Sequence, residues 1–358
     1  MKKKLLALLL AAAMVFSLAA CGSSSSSDTG SDESADTEES ADTSADGSDF
    51  KVGLITDTGG INDESFNQSS WEGLNDAIAD FGITANYLES STESDYATNI
   101  ATFVDEGYDL IICVGYMLAD ACLEAAEANP DIAFAIIDDD TIDLDNVTCL
   151  MFEQGQASYL AGYAAGLTTE TNIIGFVLGM ATTTMHEFGY GYLAGAIDAN
   201  PDVTVLQYNV NSFADAATGK ADAQAAITNG ADVIFHAAGG TGLGAIEACS
   251  EAGIYAIGVD SDQSSVAPEV VLTSALKRVD TAVYDTVESL IDGTLEGGVV
   301  TYDLSIDGVG IVTPGLLSDE AVEAIEAVKE SIISGEIVVP TTQDEFEAAY
   351  GDVYTLDD

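Results

Sequence analysis

KVGLITDTGGINDESFNQSSWEGLNDAIADFG, residues 51–82, is the stretch whose reading decides the fold. Its first six residues, Lys51 to Thr56, make a short apolar run rich in β-branched side chains, the composition of an interior parallel strand. Further on, Trp71, Leu74, Ala77 and Ile78 repeat at the spacing of an amphipathic helix, expected over 68–81 and stopped by Gly82. DTGGINDESFNQ (57–68) is therefore a strand-to-helix loop, and open parallel sheets bind ligands at the carboxyl ends of their strands. Gly59 and Gly60 let the backbone turn tightly, while Asp57, Asn62, Asp63, Ser65, Phe66 and Asn67 bring polar groups and one aromatic face to the rim.

Working outward, the chain keeps alternating. Strands are expected at 51–56, 83–88, 109–114 and 132–137, with helices at 68–81, 95–106 and 118–128 between them. The same order returns with strands at 172–178, 203–208, 232–237 and 254–259 and helices at 188–199, 214–229 and 242–252. Landmarks repeat at a constant offset of about 122 residues, Phe66 mapping to Phe188 and Asp138 to Asp260. Such a duplication predicts an α/β architecture of two Rossmann-like lobes with parallel sheets, facing each other across a cleft. Residues 146–170, LTSALK (272–277) with a helix at 279–292, and VVTYDLSIDGVGIV (299–312) with a helix at 318–334 are expected to cross between lobes. A three-segment hinge follows, with one lobe over 50–153 plus about 279–303 and the other over 154–278 plus about 304–358.

The N-terminus reads as a sorting signal. Lys2, Lys3 and Lys4 precede an apolar run too short to span a bilayer, and LAAC (18–21) closes it in the manner of a bacterial lipobox. Expected are a signal peptide over 1–20, lipidation of Cys21 and placement on the outer face of the cell membrane. Residues 21–49 hold almost nothing but Ser, Asp, Glu, Thr, Gly and Ala, the composition of a disordered acidic tether.

Formal net charge is −54, and past the signal only Lys51, Lys220, Lys277, Arg278 and Lys329 are basic. Nucleic acid is excluded as a partner, because nothing can displace counterions from its phosphates. Cys113, Cys122, Cys149 and Cys249 have no metal-ligand spacing and read as buried thiols, with a disulfide pair as the alternative. His186 and His236 are too far apart in sequence to suggest zinc, so neither metal nor cofactor is expected.

DESFNQSSWEG, HAAGGTGLGAIEA (236–248), IGVDSDQ (257–263) and LTSALKRVD (272–280), four motifs in order, closely resemble the basic membrane protein family of lipoproteins. The resemblance covers nearly all of residues 50–338. It implies a type I periplasmic-binding-protein fold and a monomeric substrate-binding protein of an ABC importer, similar to the purine nucleoside receptors and working with a membrane permease. The ligand-binding set it implies is Asp57, Phe66, Asn67, Gly115, Asp138, Met180, Phe188, Gly240, Asp260 and Lys277. By that analogy Phe66 and Phe188 sandwich a base, Asp57, Asn67 and Asp138 bond around it, and Gly240, Asp260 and Lys277 hold the ribose. One departure is LGMATTTMHEF, where Leu178 and Ala181 stand in place of a Gly and an Asp common in the family.

Elementary chemistry points the same way. Two aromatic faces contribute roughly 1–3 kcal/mol each by stacking on a flat ring, short of the roughly 8 kcal/mol of micromolar binding. Carboxylates and amides must supply the rest. An Asp accepts from both hydroxyls of a ribose diol, and with Lys277 and Arg278 the only nearby cations a phosphate is poorly neutralised. A nucleoside is favoured over a nucleotide. The alternatives are another small metabolite, such as a sugar or an autoinducer, on the same fold; a sensor; or an enzyme resembling nucleoside hydrolases, whose second loop aspartate is here Gly59.

Overall fold

In the computed structural model, residues 47–313 and 315–351 are described. The expected signal peptide, Cys21 and the tether as far as residue 46 lie outside the described residues. Gly47 is already buried, its N–H donating to the Phe81 carbonyl at 3.1 Å.

The first half runs β1 (Lys51–Ile55), α1 (Phe66–Phe81), β2 (Thr84–Leu88), α2 (Tyr96–Asp105), β3 (Leu110–Cys113), α3 (Ala119–Ala128), β4 (Ala133–Ile137) and β5 (Val147–Phe152). Helix α4 (Gln154–Thr168) leads into β6 (Ile173–Leu178), α5 (Thr183–Ala199), β7 (Thr204–Asn209), α6 (Ala216–Thr228), β8 (Val233–Ala237), α7 (Gly240–Ala252), β9 (Tyr255–Asp260) and β10 (Val271–Lys277). The chain closes with α8 (Val279–Ile291), β11 (Gly298–Tyr302), β12 (Val309–Ile311), α9 (Asp319–Ile333) and α10 (Gln343–Tyr350).

These strands build two six-stranded sheets, β11-β5-β4-β3-β1-β2 and β12-β10-β9-β8-β6-β7. The first is parallel throughout, and the second is parallel except for β12 against β10. Apart from the outermost strand, each sheet has the same spatial order, so the duplication read from the sequence is present in the topology. Backbone detail repeats as well: Asp138, just past β4, and Asp260, ending β9, both have φ of 65°, a left-handed conformation that costs a non-glycine residue energy.

The first sheet is buried on both faces: Val52 and Leu54 of β1 join one apolar cluster and Ile55 a second, with Phe103, Ile111 and Phe134. Cys113, Cys122, Cys149 and Cys249 are free, buried thiols. Among the described residues no helix is long and apolar enough to cross a membrane.

Three differences from the expected elements bear on the site. Helix α5 starts at Thr183, so Phe188 sits inside a helix, and Phe66 is the first residue of α1. VVTYDLSIDGVGIV divides into two strands, β11 in the first sheet and β12 in the second. Helix α10 was not expected, because among its residues only Phe346 is buried, its ring tilted against that of Tyr190 of α5 with centroids 5.7 Å apart.

Helices α4 and α5 touch backbone to backbone. A Cβ on Gly195 would stand 1.9 Å from the Tyr159 carbonyl oxygen, and one on Gly162 would stand 2.0 Å from that of Tyr192. Gly195→Ala is therefore expected to force the helices apart and cost about 1–3 kcal/mol. Urea denaturation measures this; an unchanged midpoint would show that the helices slide freely.

Candidate functional site

The loop after β1 is folded by its own carboxylates. Asp63 accepts from the backbone N–H groups of Ser65 (3.0 Å), Asn67 (2.9 Å) and Gln68 (3.0 Å), satisfying donors that the start of α1 leaves unpaired. Asp57 accepts at Oδ1 from Gly59 N (2.7 Å) and Asn67 Nδ2 (2.7 Å), and its own N–H donates to Asn67 Oδ1 (3.1 Å). Asn67 thus ties Asp57 to Asp63 and holds the other Asp57 oxygen, Oδ2, toward Gly115.

This loop forms one wall of a cavity with about 530 Å3 of empty space, open solvent at its mouth included. Its walls come from the carboxyl ends of strands in both sheets: Asp57, Asp63, Phe66, Asn67, Gly115, Tyr116, Met117 and Asp138 from the first, and Met185, Phe188, Phe213, Ala237, Ala238, Gly239, Val259, Asp260 and Lys277 from the second. Eight of the ten residues expected at a ligand site therefore line one cavity. Met180 and Gly240 do not. Met180 is half-buried just past β6, and α5 turns Met185 inward instead; Gly240 starts α7 while its neighbour Gly239 borders the space.

Lys277 is the electrostatic centre. Only 2% exposed, its Nζ donates to both oxygens of Asp138, at 2.6 and 2.5 Å, joining the end of β10 to the end of β4. The same ammonium lies 5.1 Å from the ring centroids of Phe66 and Phe152 and 5.6 Å from that of Phe188, within cation–π range of all three. It is the sole cation on walls that carry Asp57, Asp63, Asp138 and Asp260. Asp138 and Lys277, assigned by resemblance to opposite ends of a ligand, are thus directly paired.

Burial raises the Asp57 carboxyl to about 6 against the stabilising hydrogen bond from Asn67. Asp260 is raised to about 7, again by burial, with Lys277 and the Ser65 hydroxyl pulling the other way. Glu187 is raised to about 7 by burial, opposed by Lys277; its carboxylate also accepts from Gln154 Nε2. One buried ammonium thus serves several carboxylates, which stay costly to ionise.

Residues missed in the sequence follow two patterns. Tyr116 and Met117 come just after β3, as Ala237, Ala238 and Gly239 come at the end of β8, so taking the residues beyond every interior strand would have found them. Phe213 lies in the loop after β7, where the first half offers no aromatic counterpart, and nothing in the repeat signals it. GGTGLG (239–244) borders the cavity only at Gly239; Gly242 makes room for the buried His236 ring, whose Nδ1 is 1.9 Å from where a Cβ would be.

The family described as "ABC transporter substrate-binding protein PnrA-like" matches residues 50–343. Among relatives, the CD4+ T-cell-stimulating antigen of Listeria monocytogenes is 40% identical over 82% of this chain and 88% of its own length. The ABC transporter nucleoside-binding protein BmpA of Lactococcus lactis is 38% identical over 82% of this chain and 90% of its own. Among solved structures, an ABC transporter solute-binding protein from Aeropyrum pernix superposes with a TM-score of 0.76 at 26% identity, covering 84% of this chain and 96% of that one.

A stability test isolates Asp260. Its folded pKa of about 7 lies above the ordinary 3.8, so its contribution is fully present below about pH 4 and lost as pH rises through 7. Asp260→Asn keeps an acceptor for Ser65 and removes the titration. The unliganded variant should lose less thermal stability than the parent between pH 5 and 8; parallel curves would show that Asp260 is not held protonated by burial.

Proposed function

This chain belongs to the PnrA-like family of ABC transporter substrate-binding proteins, and from that footing we propose that it captures a nucleoside of the purine type and delivers it to a membrane permease. The observation that carries the reading is the cavity's composition: aromatic rings from both lobes, Phe66 and Phe188 among them, four carboxylates and one lysine already paired. A flat ring between Phe66 and Phe188 gains stacking on each face. Asp57 Oδ2 faces a ligand amino or imino donor, and Asp260 accepts from the ribose hydroxyls. Asn67 acts through Asp57, since its amide is engaged by Asp57 and Asp63.

A free phosphate is disfavoured here, because Lys277 is neutralised by Asp138 and every other charge on the walls is negative. A receptor suits loop carboxylates that accept from the backbone N–H groups of their own loop and so hold its shape. We place the lobes over 50–153 with about 279–303 and 154–278 with about 304–358, swinging about the crossings near 153, 278 and 303. Lipidation at Cys21 would hold this monomeric receptor on the outer membrane face beside its permease.

A thermal-shift panel tests the assignment: inosine and guanosine should stabilise the protein, and inosine monophosphate and ribose should not. Phe66→Leu and Phe188→Leu keep apolar volume but remove an aromatic face, and each should weaken nucleoside binding about 5- to 100-fold by calorimetry. Stabilisation by sugars alone, or wild-type affinity in both variants, would refute the nucleoside reading.

A further inference from the structure

Next to the cavity the two lobes are joined by hydrogen bonds in which both partners are protein groups. Glu64, at φ of 53°, turns its carbonyl out of the β1–α1 loop toward the loop after β9. That oxygen accepts from Gln263 Nε2 at 2.9 Å and from Ser261 Oγ at 3.1 Å. Alongside, the Ser65 hydroxyl donates to Asp260. A non-glycine residue in the left-handed region is an energetic cost, and here it aims one acceptor at two donors of the opposite lobe.

Gln263 is held in the one orientation that serves this contact. Its Oε1 accepts from the Val259 N–H at 3.0 Å and bonds His236 Nε2 at 2.9 Å, while its own N–H donates to Ser274 Oγ at 3.2 Å. With Oε1 fixed as the acceptor, Nε2 must point across the cleft. His236 is 1% exposed and Gln263 likewise. Burial lowers the histidine to about 4, so the ring is neutral and donates from Nε2. Neither side chain lines the cavity.

We infer that His236, Gln263 and Ser261 form a latch on the Glu64 carbonyl that holds the lobes closed independently of the ligand and slows its escape. Gln263 and His236 are positioning residues; they act on closure, not on the ligand. The inference rests on the two-lobe receptor reading, and its primary test needs no ligand.

Gln263→Glu is nearly isosteric and keeps the Oε1 acceptor for Val259 and His236, but puts a second oxygen against the Glu64 carbonyl. Ser261→Ala, at a less buried position, removes only one of the two donors. Small-angle scattering on ligand-free full-length protein should give a larger radius of gyration for Gln263→Glu than for the parent, with Ser261→Ala between, at unchanged circular dichroism. With inosine as probe, dissociation should be at least about five-fold faster in Gln263→Glu, the loss of one good hydrogen bond. Equal radii for the three ligand-free proteins would overturn the latch whatever they bind. Failure of the parent to bind inosine, with the radii still ordered as stated, would support the latch and refute the nucleoside assignment alone.

Discussion

A buried ammonium at the end of one sheet gripping a buried carboxylate at the end of the other is the interaction around which the cavity is built. Removing Lys277 would leave Asp138 a buried carboxylate without its cation, a cost of several kcal/mol. Coulomb attraction alone does not repay desolvation of such a pair, and the structure adds two further terms. The ammonium contacts both carboxylate oxygens, and three phenylalanine rings present their faces to it. Phe66 comes from the first loop, Phe152 from the first crossing strand and Phe188 from α5, so one cation draws together the parts that make the cavity.

Its position follows from the doubled fold. Each sheet delivers its chemistry at the carboxyl ends of its strands, and a repeat facing its own copy brings two such edges together. Asp138 and Asp260 occupy equivalent places, with the same left-handed backbone, yet play opposite parts. Asp138 is paired with the lysine; Asp260 takes only a hydroxyl from Ser65 and is held well above the usual carboxylate range. Duplication therefore supplied two carboxylates, and a single lysine on β10 made them unequal.

Much of this was legible in the sequence because it rests on local pattern. The apolar run 51–56, the helix spacing from Trp71 to Ile78 and the recurrence of Phe66 and Asp138 require the alternating order and the two sheets, and the same loop logic points to Asp57 and Phe66, while Gly115 is implied by the family resemblance alone. What was not legible depends on contacts distant in the chain. The sequence places the start of α5 at Phe188 instead of Thr183 because the Thr-rich segment 182–184 gives no apolar signal, although it opens the helix. Met185 reaches the cavity in place of Met180 for the same reason. Phe213 and α10 carry no periodic cue, and the pairing of Lys277 with Asp138 spans 139 residues. Gln263 read as part of a family motif; only the folded chain shows that its amide is clamped by His236.

The central claim is that a cavity with aromatic walls and an excess of carboxylates selects a neutral, donor-rich, flat ligand. Native mass spectrometry of the protein, before and after adding equimolar inosine, inosine monophosphate and ribose together, tests it most directly. The account predicts one adduct per chain with the mass of the nucleoside. An adduct of the monophosphate or of ribose in its place would contradict it.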